Sequence, residues 1–231
     1  MSLIQSIVGS AIKSAAPPPP AWVYPPPGNN YPVTTGVLTG TVQSAVSGYY
    51  EAGSLLNTVN NGLYRRTYVG QAFDASYVMD PAFPGAYTLV EYQADPYVGF
   101  GSGGDINTGF TMEWIGYFKP AQSGDFVFEI DVDDYVQMWV GATAVTGFDN
   151  TNAIVQGNNS IAGSVAYPML ADKYYPVRIR YVENQGGHNC SIWAGLNGAA
   201  PTLNADSAAT GQFFFDTYAA TGAFPESGLI I

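Results

Sequence analysis

An acidic pair, Asp133 and Asp134, interrupts an otherwise regular apolar alternation in the stretch DVDDYVQMWVG (131–141). Upstream, Phe126, Phe128, Ile130 and Val132 alternate with Val127, Glu129 and Asp131. Downstream, Val136, Met138 and Val140 alternate with Tyr135, Gln137 and Trp139. A period of two on both sides predicts two half-buried strands that meet at the pair. Two neighbouring carboxylates raise each other's cost of ionisation unless a cation sits between them. The pair therefore demands both a β-rich fold and a compensating positive charge.

The flanking segments extend the β reading. LYRRTYVG, just after Gly62, gives a first strand. TMEWIGYF (111–118) places Met112, Trp114 and Phe118 on one face, and the turn cluster KPAQSGD leads into the strand from Phe126, which reads as a hairpin. Residues 71–108 are loop-heavy, and long loops in compact domains commonly serve as lids or binding loops. ATAVTGFDNTNAIVQGNNSIAG (142–163) reads as an Asn- and Gly-rich loop. From Tyr174 to Val182 a strand points Val177, Ile179 and Tyr181 inward and Arg178 and Arg180 outward. The loop ENQGGHN (183–189) follows, then the strand CSIWAG, and QFFFDTY near the C-terminus supplies a last strand or edge.

Charge narrows the function classes. With 7 Lys and Arg against 18 Asp and Glu, the net charge of −11 disfavours nucleic acid or an anionic membrane face as partner. The single cysteine, Cys190, allows no intramolecular disulfide. The single histidine, His188, excludes multi-histidine zinc sites and leaves little for triad chemistry. No apolar run approaches the roughly 20 residues of a membrane span, and the first residues, with their lysine after the apolar part, do not read as a signal peptide.

The chain begins instead with an amphipathic stripe, Ile4, Ile7, Val8, Ala11 and Ile12, too short to be a stable helix alone. A proline-rich run, APPPPAWVYPPPGNNYP, follows and favours an extended spacer. Residues 1–32 thus read as an anchor that docks on a larger assembly, 33–61 as a connecting segment, and 62–231 as the main domain.

In this order, EWIGYFKPAQSGDFVFEIDVDDYVQMWVG, the AVTGFDNTNAIV loop and KYYPVRIRYVENQGGHNCSIW resemble the protective-antigen type β-sandwich domain. The resemblance is closest to its fungal adhesin branch, the GLEYA and flocculin-type lectins, and covers roughly residues 62–196. It implies an all-β antiparallel sandwich. It also implies a cis-linked aspartate pair that holds Ca²⁺ together with an Asn on the later loop, the ion in turn coordinating sugar hydroxyls. Carried over, the metal ligands are Asp133, Asp134 and Asn184, with backbone carbonyls near Gly186 and His188. Such a ligand set suits calcium, which takes six to eight oxygens in flexible geometry. Trans-linked neighbours on a strand would aim their carboxylates at opposite faces, so a cis link is one way to turn both towards one ion. Trp193 and Trp139 are candidate sugar-stacking rings, with core or sheet packing as the plainer reading of each. The adhesins tie down their specificity region with disulfides, which a chain whose one cysteine is Cys190 cannot form, so fine sugar specificity does not carry over.

The expectation is a non-enzymatic, calcium-dependent carbohydrate-binding module. Glu113, Glu129 and Asp131 lack the partner across a cleft that glycoside hydrolysis requires. The absent signal peptide and the anchoring arm point to display on a virion, as a phage surface or tail component that attaches to host glycans. The alternative is a structural decoration protein whose acidic pair serves only the fold.

Overall fold

The computed structural model describes residues 48–51, 59–74, 76–95, 98–100, 109–196, 203–204, 212–225 and 228–231. The expected anchor helix and proline spacer, most of the connecting segment and the glycine-rich stretch 101–108 lie outside the described residues.

The chain is all-β, and its strands belong to one antiparallel sheet. In sequence order the strands are β1 (Asn60–Asn61), β2 (Leu63–Val69), β3 (Thr88–Asp95), β4 (Gly99–Phe100), β5 (Phe110–Phe118) and β6 (Gly124–Val140). A short helix, α1 (Ala142–Val145), precedes β7 (Val155–Gly163), β8 (Tyr167–Met169), β9 (Tyr175–Glu183), β10 (Asn189–Leu196), β11 (Leu203–Asn204) and β12 (Phe213–Phe215). The main path runs β1-β12-β5-β9-β6-β10-β11, with β2 and β3 continuing from β5, and β7 and β8 along β6.

The pivot is β6. Sequence alternation predicts two strands meeting at the acidic pair; the structure has one strand of 17 residues. Its first half, residues 126–133, pairs with β10, and its second half, residues 135–140, pairs with β9. The ladder to β7 slips in register between Val132 and Tyr135, so Asp133 and Asp134 occupy the changeover. Phe126, Phe128, Ile130 and Val132 from the first half share one core with Val136, Met138 and Val140 from the second. Trp114, Ile179, Tyr181 and Ile192 complete it. One strand thus feeds both layers of the sandwich, and its apolar alternation supplies the core between them.

Three local expectations change. The β5–β6 hairpin does not form, because β9 is inserted between the two strands. The turn 119–123 instead carries the chain across the core, where Phe118 meets Phe126 and Phe128 with ring centroids 5.5 and 5.2 Å apart. The Asn- and Gly-rich segment 155–163 is a strand rather than a loop: as an outer neighbour of β6 it gains ladder hydrogen bonds that low intrinsic propensity does not forbid. Arg178 and Arg180 do face away from the main core, yet both are buried. The outer face of β9 is roofed by Phe148, Phe83 and Phe224, and all of β9 is buried.

Burying those guanidiniums requires an anion. Register places Arg66 of β2 beside Glu113 of β5 and Glu113 beside Arg180 of β9. Glu113 Oε1 accepts from Arg178 Nη1 at 2.6 Å and from Arg180 Nε at 2.8 Å, and Arg66 Nη1 lies 3.4 Å from Oε2. Burial alone would push the Glu113 carboxyl upward. The charges and hydrogen bonds of Arg178 and Arg180 outweigh it and hold the group at about 2, below its ordinary 4.5. A carboxylate depressed in the folded state adds stability that is complete above pH 4.5 and is lost as the pH falls towards 2. Glu113→Gln should cost about 3–5 kcal/mol at neutral pH in denaturant titrations, since it strips the anion from buried arginines. It should also flatten the acid limb of stability against pH between about 4.5 and 2; an unchanged limb would remove Glu113 from that role.

Candidate functional site

At the changeover in β6 the peptide link between Asp133 and Asp134 is cis. The acidic pair meets the loop after β9. Asp134 Oδ2 accepts a 2.7 Å hydrogen bond from the backbone N–H of Asn184, and Asn189 at the start of β10 stands opposite Asp133 in the ladder. Gly187 passes close by: a Cβ added there would lie 3.8 Å from Asp133 Oδ2. Gly186 has a φ of 108°, a conformation open to glycine and strained for other residues. The structure thus brings Asp133, Asp134, Asn184 and the 186–188 loop together.

The electrostatics match two like charges held side by side. Burial first, then the charge of Asp134 and a hydrogen bond shared with it, push the Asp133 carboxyl above its ordinary range; His188 offsets part of this. Beneath the pair, the Tyr181 hydroxyl contacts the Asp133 carbonyl oxygen at 2.5 Å and Glu183 Oε2 at 2.7 Å. Glu183 is buried, and its Oε1 has no hydrogen-bond partner. Burial is the largest influence on this group; a hydrogen bond from Tyr181 opposes it, the charges of Asp134 and Asp133 add to it, and the result is a carboxyl pushed up to about 7.

The donor chemistry suits a hard cation. Two adjacent carboxylates with amide and carbonyl groups nearby are oxygen donors, the kind a hard cation takes alongside water. Asn184 and the backbone of 186–188 offer such oxygens, which favours Ca²⁺ over zinc.

Beside Asp134 and Asn184 opens a cleft of about 200 Å³, also lined by Gln71, Phe73, Asp74, Tyr77, Tyr135 and Val182. Its aromatic wall is built locally. Asp74 Oδ1 accepts from the N–H groups of Ser76 and Val78, and the Tyr77 N–H bonds back to the Asp74 carbonyl. This turn holds Tyr77 at φ 56° and lays its ring on Tyr135, with centroids 4.9 Å apart and planes 25° from parallel. Phe73 meets the same ring edge-on at 4.6 Å.

Trp193 stands elsewhere. It pairs with Glu129 and Asn204, four residues along β10 from Asn189, or roughly 13 Å at strand spacing. Trp139 is fully buried, its indole N–H donating to the Asp149 carbonyl and Asn152 Oδ1, so it offers no face to a ligand. Sequence reasoning missed Tyr77, Tyr135 and Phe73 as a wall and Tyr181 with Glu183 as the support. The one available signal was Asp74 with Ser76, an Asx-turn pattern inside a long loop.

Comparison with known proteins now bears on this arrangement. Residues 110–194 match the GLEYA domain. That interval contains the acidic pair, Asn184 and the loop between them and β10. No curated protein matches the chain. Among solved structures, the A domain of epithelial adhesin 6 from Candida glabrata, in complex with Galβ1-3GlcNAc, superposes with a TM-score of 0.59 at 18% identity, covering 80% of this chain and 97% of that one. The A domain of epithelial adhesin 9 from the same organism, with the same disaccharide, gives 0.55 at 17% identity over 75% and 96%. The PA14 domain of the MpAFP antifreeze protein gives 0.53 at 13% identity over 75% and 96%. The fold is that of these adhesin and PA14 domains.

The support beneath the pair is testable alone. Tyr181→Phe removes the donor to two acceptors and leaves Glu183 more poorly satisfied. The expected loss is about 1–3 kcal/mol in chemical denaturation; a midpoint equal to wild type would show that the hydroxyl carries no stability.

Proposed function

We propose that this domain is a calcium-dependent carbohydrate-binding adhesion module. The observation that carries the reading is the Asp133–Asp134 pair, with Asp134 bonded to the backbone N–H of Asn184 on the rim of an aromatic-walled cleft. Asp133 and Asp134 supply the charge for the ion, and Asn184 with the carbonyls at Gly186 and His188 supplies neutral oxygens. A Ca²⁺ held by these residues would supply a positive charge to which sugar hydroxyls could bind. The part-exposed ring of Tyr77, backed by the buried Tyr135, gives the apolar face of a sugar a surface to cover, and Gln71 and Asp74 offer polar groups to its remaining hydroxyls. The disaccharide-bound adhesin domains of like fold support a glycan as ligand class. Binding, rather than turnover, is the activity this implies.

The test separates ion from sugar. In thermal melts, Ca²⁺ should raise the midpoint of wild type relative to chelator, because an ion held only by the native state stabilises it; Asp134→Ala should abolish the shift. A glycan array should retain ligands with calcium and release them with chelator. Tyr77→Ala should keep the calcium shift and lose at least tenfold in glycan affinity. No calcium shift in wild type would overturn the metal site. A calcium shift without glycan retention would leave the pair as a stabiliser of a structural decoration domain.

We further propose that residues 1–32 tether the module to a larger assembly, with a virion surface contacting host glycans as the setting. The amphipathic stripe and proline-rich run support this. Deleting residues 1–32 should leave a folded domain that no longer incorporates; full incorporation of the truncated chain would sink the tether.

A further inference from the structure

On the outer face of β2, β5 and β9, remote from the acidic pair, lies a cavity of about 560 Å³. Arg66, Arg178, Arg180 and Glu113 form its floor, and Phe148 and Phe224 stand among its apolar walls. We propose that this cavity binds a small organic anion, a carboxylate or phosphate on an apolar body.

The charge count comes first. Among the described residues Glu113 is the carboxylate within ion-pair distance of all three guanidiniums, so three positive charges meet one negative charge. The surplus of two cations sits in a chain whose overall charge is −11. Arg65, on the same strand as Arg66, is served separately by Glu91 and Asp95. Buried cations without counter-ions are costly, and a bound oxyanion would relieve that cost.

The donor pattern agrees. Each nitrogen of Arg178 donates one hydrogen bond, Nε to the Ala144 carbonyl, Nη1 to Glu113 and Nη2 to the Gly222 carbonyl. It is fixed in place and contributes charge. Arg66 is committed less completely: its Nη1 reaches Glu113 only at 3.4 Å, and its buried Nε has no hydrogen-bond partner. Rings order the cations from above. Phe148 covers Arg178 and Arg180 at 4.4 and 4.7 Å, and Phe83 covers Arg180 at 4.6 Å. Such rigid guanidiniums are suited to a carboxylate or phosphate, whose oxygens accept charge-assisted bonds. Phe148, Phe224, Val145 and Leu229 make much of the remaining wall apolar, with Thr146 the polar side chain on it, which favours an organic anion over a bare inorganic one. This site does not depend on the calcium reading.

The experiment titrates the purified protein with benzoate, inorganic phosphate and chloride at constant ionic strength, in the presence of chelator. Thermal midpoint and chemical shifts are followed together. Benzoate should give a saturable rise of roughly 3–5 °C at tenfold excess over its Kd. Phosphate should bind more weakly and chloride should give no saturable response. A phosphate response exceeding that of benzoate would overturn the organic character of the ligand. The absence of saturation with both would overturn the site. Ala223→Asp and Thr146→Asp each set a carboxylate at the exposed rim, where the fold tolerates it. Each should raise the midpoint without ligand and weaken benzoate at least tenfold; full benzoate binding in both variants would place the response elsewhere.

Discussion

Everything in this structure depends on one strand serving two layers. β6 pairs with β10 over its first half and with β9 over its second, and the apolar residues of both halves enter a single core. A regular strand cannot do this without a local change of course, and the change falls at Asp133 and Asp134, where the ladder to β7 also slips. The pair is partly exposed because the two layers part there. The same parting lets the loop after β9 approach, so Asn184 and Gly187 meet carboxylates fifty-odd positions earlier in the chain. The fold's turning point is thus also where acidic side chains can be gathered near the surface without being buried unpaired.

Burial on both faces of β9 is the second consequence. With the sandwich core on one side and the roof of Phe83, Phe148 and Phe224 on the other, its polar residues need partners inside the protein. The structure answers with a row that crosses strands in register: Arg66, Glu113, Arg180 and Gln137, the last bonded onward to Asn150. At the strand's end, Tyr181 bridges Glu183 and the Asp133 carbonyl. One strand thus carries a cationic row on its outer face and braces the acidic pair at its tip.

The β character was legible because it rests on local alternation, and the acidic pair stood out as the break in that alternation; Asn184 was named only through the family resemblance. The neighbours of those residues were not legible. Alternation says that Arg178 and Val177 face opposite ways, and it does not say that both faces are covered. It cannot reveal that Phe118 crosses the core to Phe126 rather than turning into a hairpin, since that choice is made by β9, sixty residues later. Tyr77 reaches Tyr135 through an Asx turn that reverses the chain within five residues. Segment 155–163 hides its strand behind Asn and Gly because pairing with β6, not propensity, makes it one.

The two sites lie on the same face of β9, since Arg178, Arg180, Val182 and Asn184 alternate with the core residues between them. Four residues separate Arg180 from Asn184, roughly 13 Å at strand spacing, and Arg178 lies two residues further on. With a Debye length of about 8 Å at physiological salt, the acidic site and the cationic one attract each other only weakly across solvent. Between them lies the loop 71–87. Its Phe73 and Tyr77 wall the cleft beside Asp134, and its Met79 and Phe83 lie against Arg180. Any communication between the two ends must then pass through how this loop packs, with Phe73 and Met79 bridged across its base. The loop is held at both ends by aromatic contacts, Tyr77 on Tyr135 and Phe83 on Tyr68. The loop thus meets the two regions through separate side chains, Tyr77 at the cleft beside Asp134 and Phe83 at Arg180.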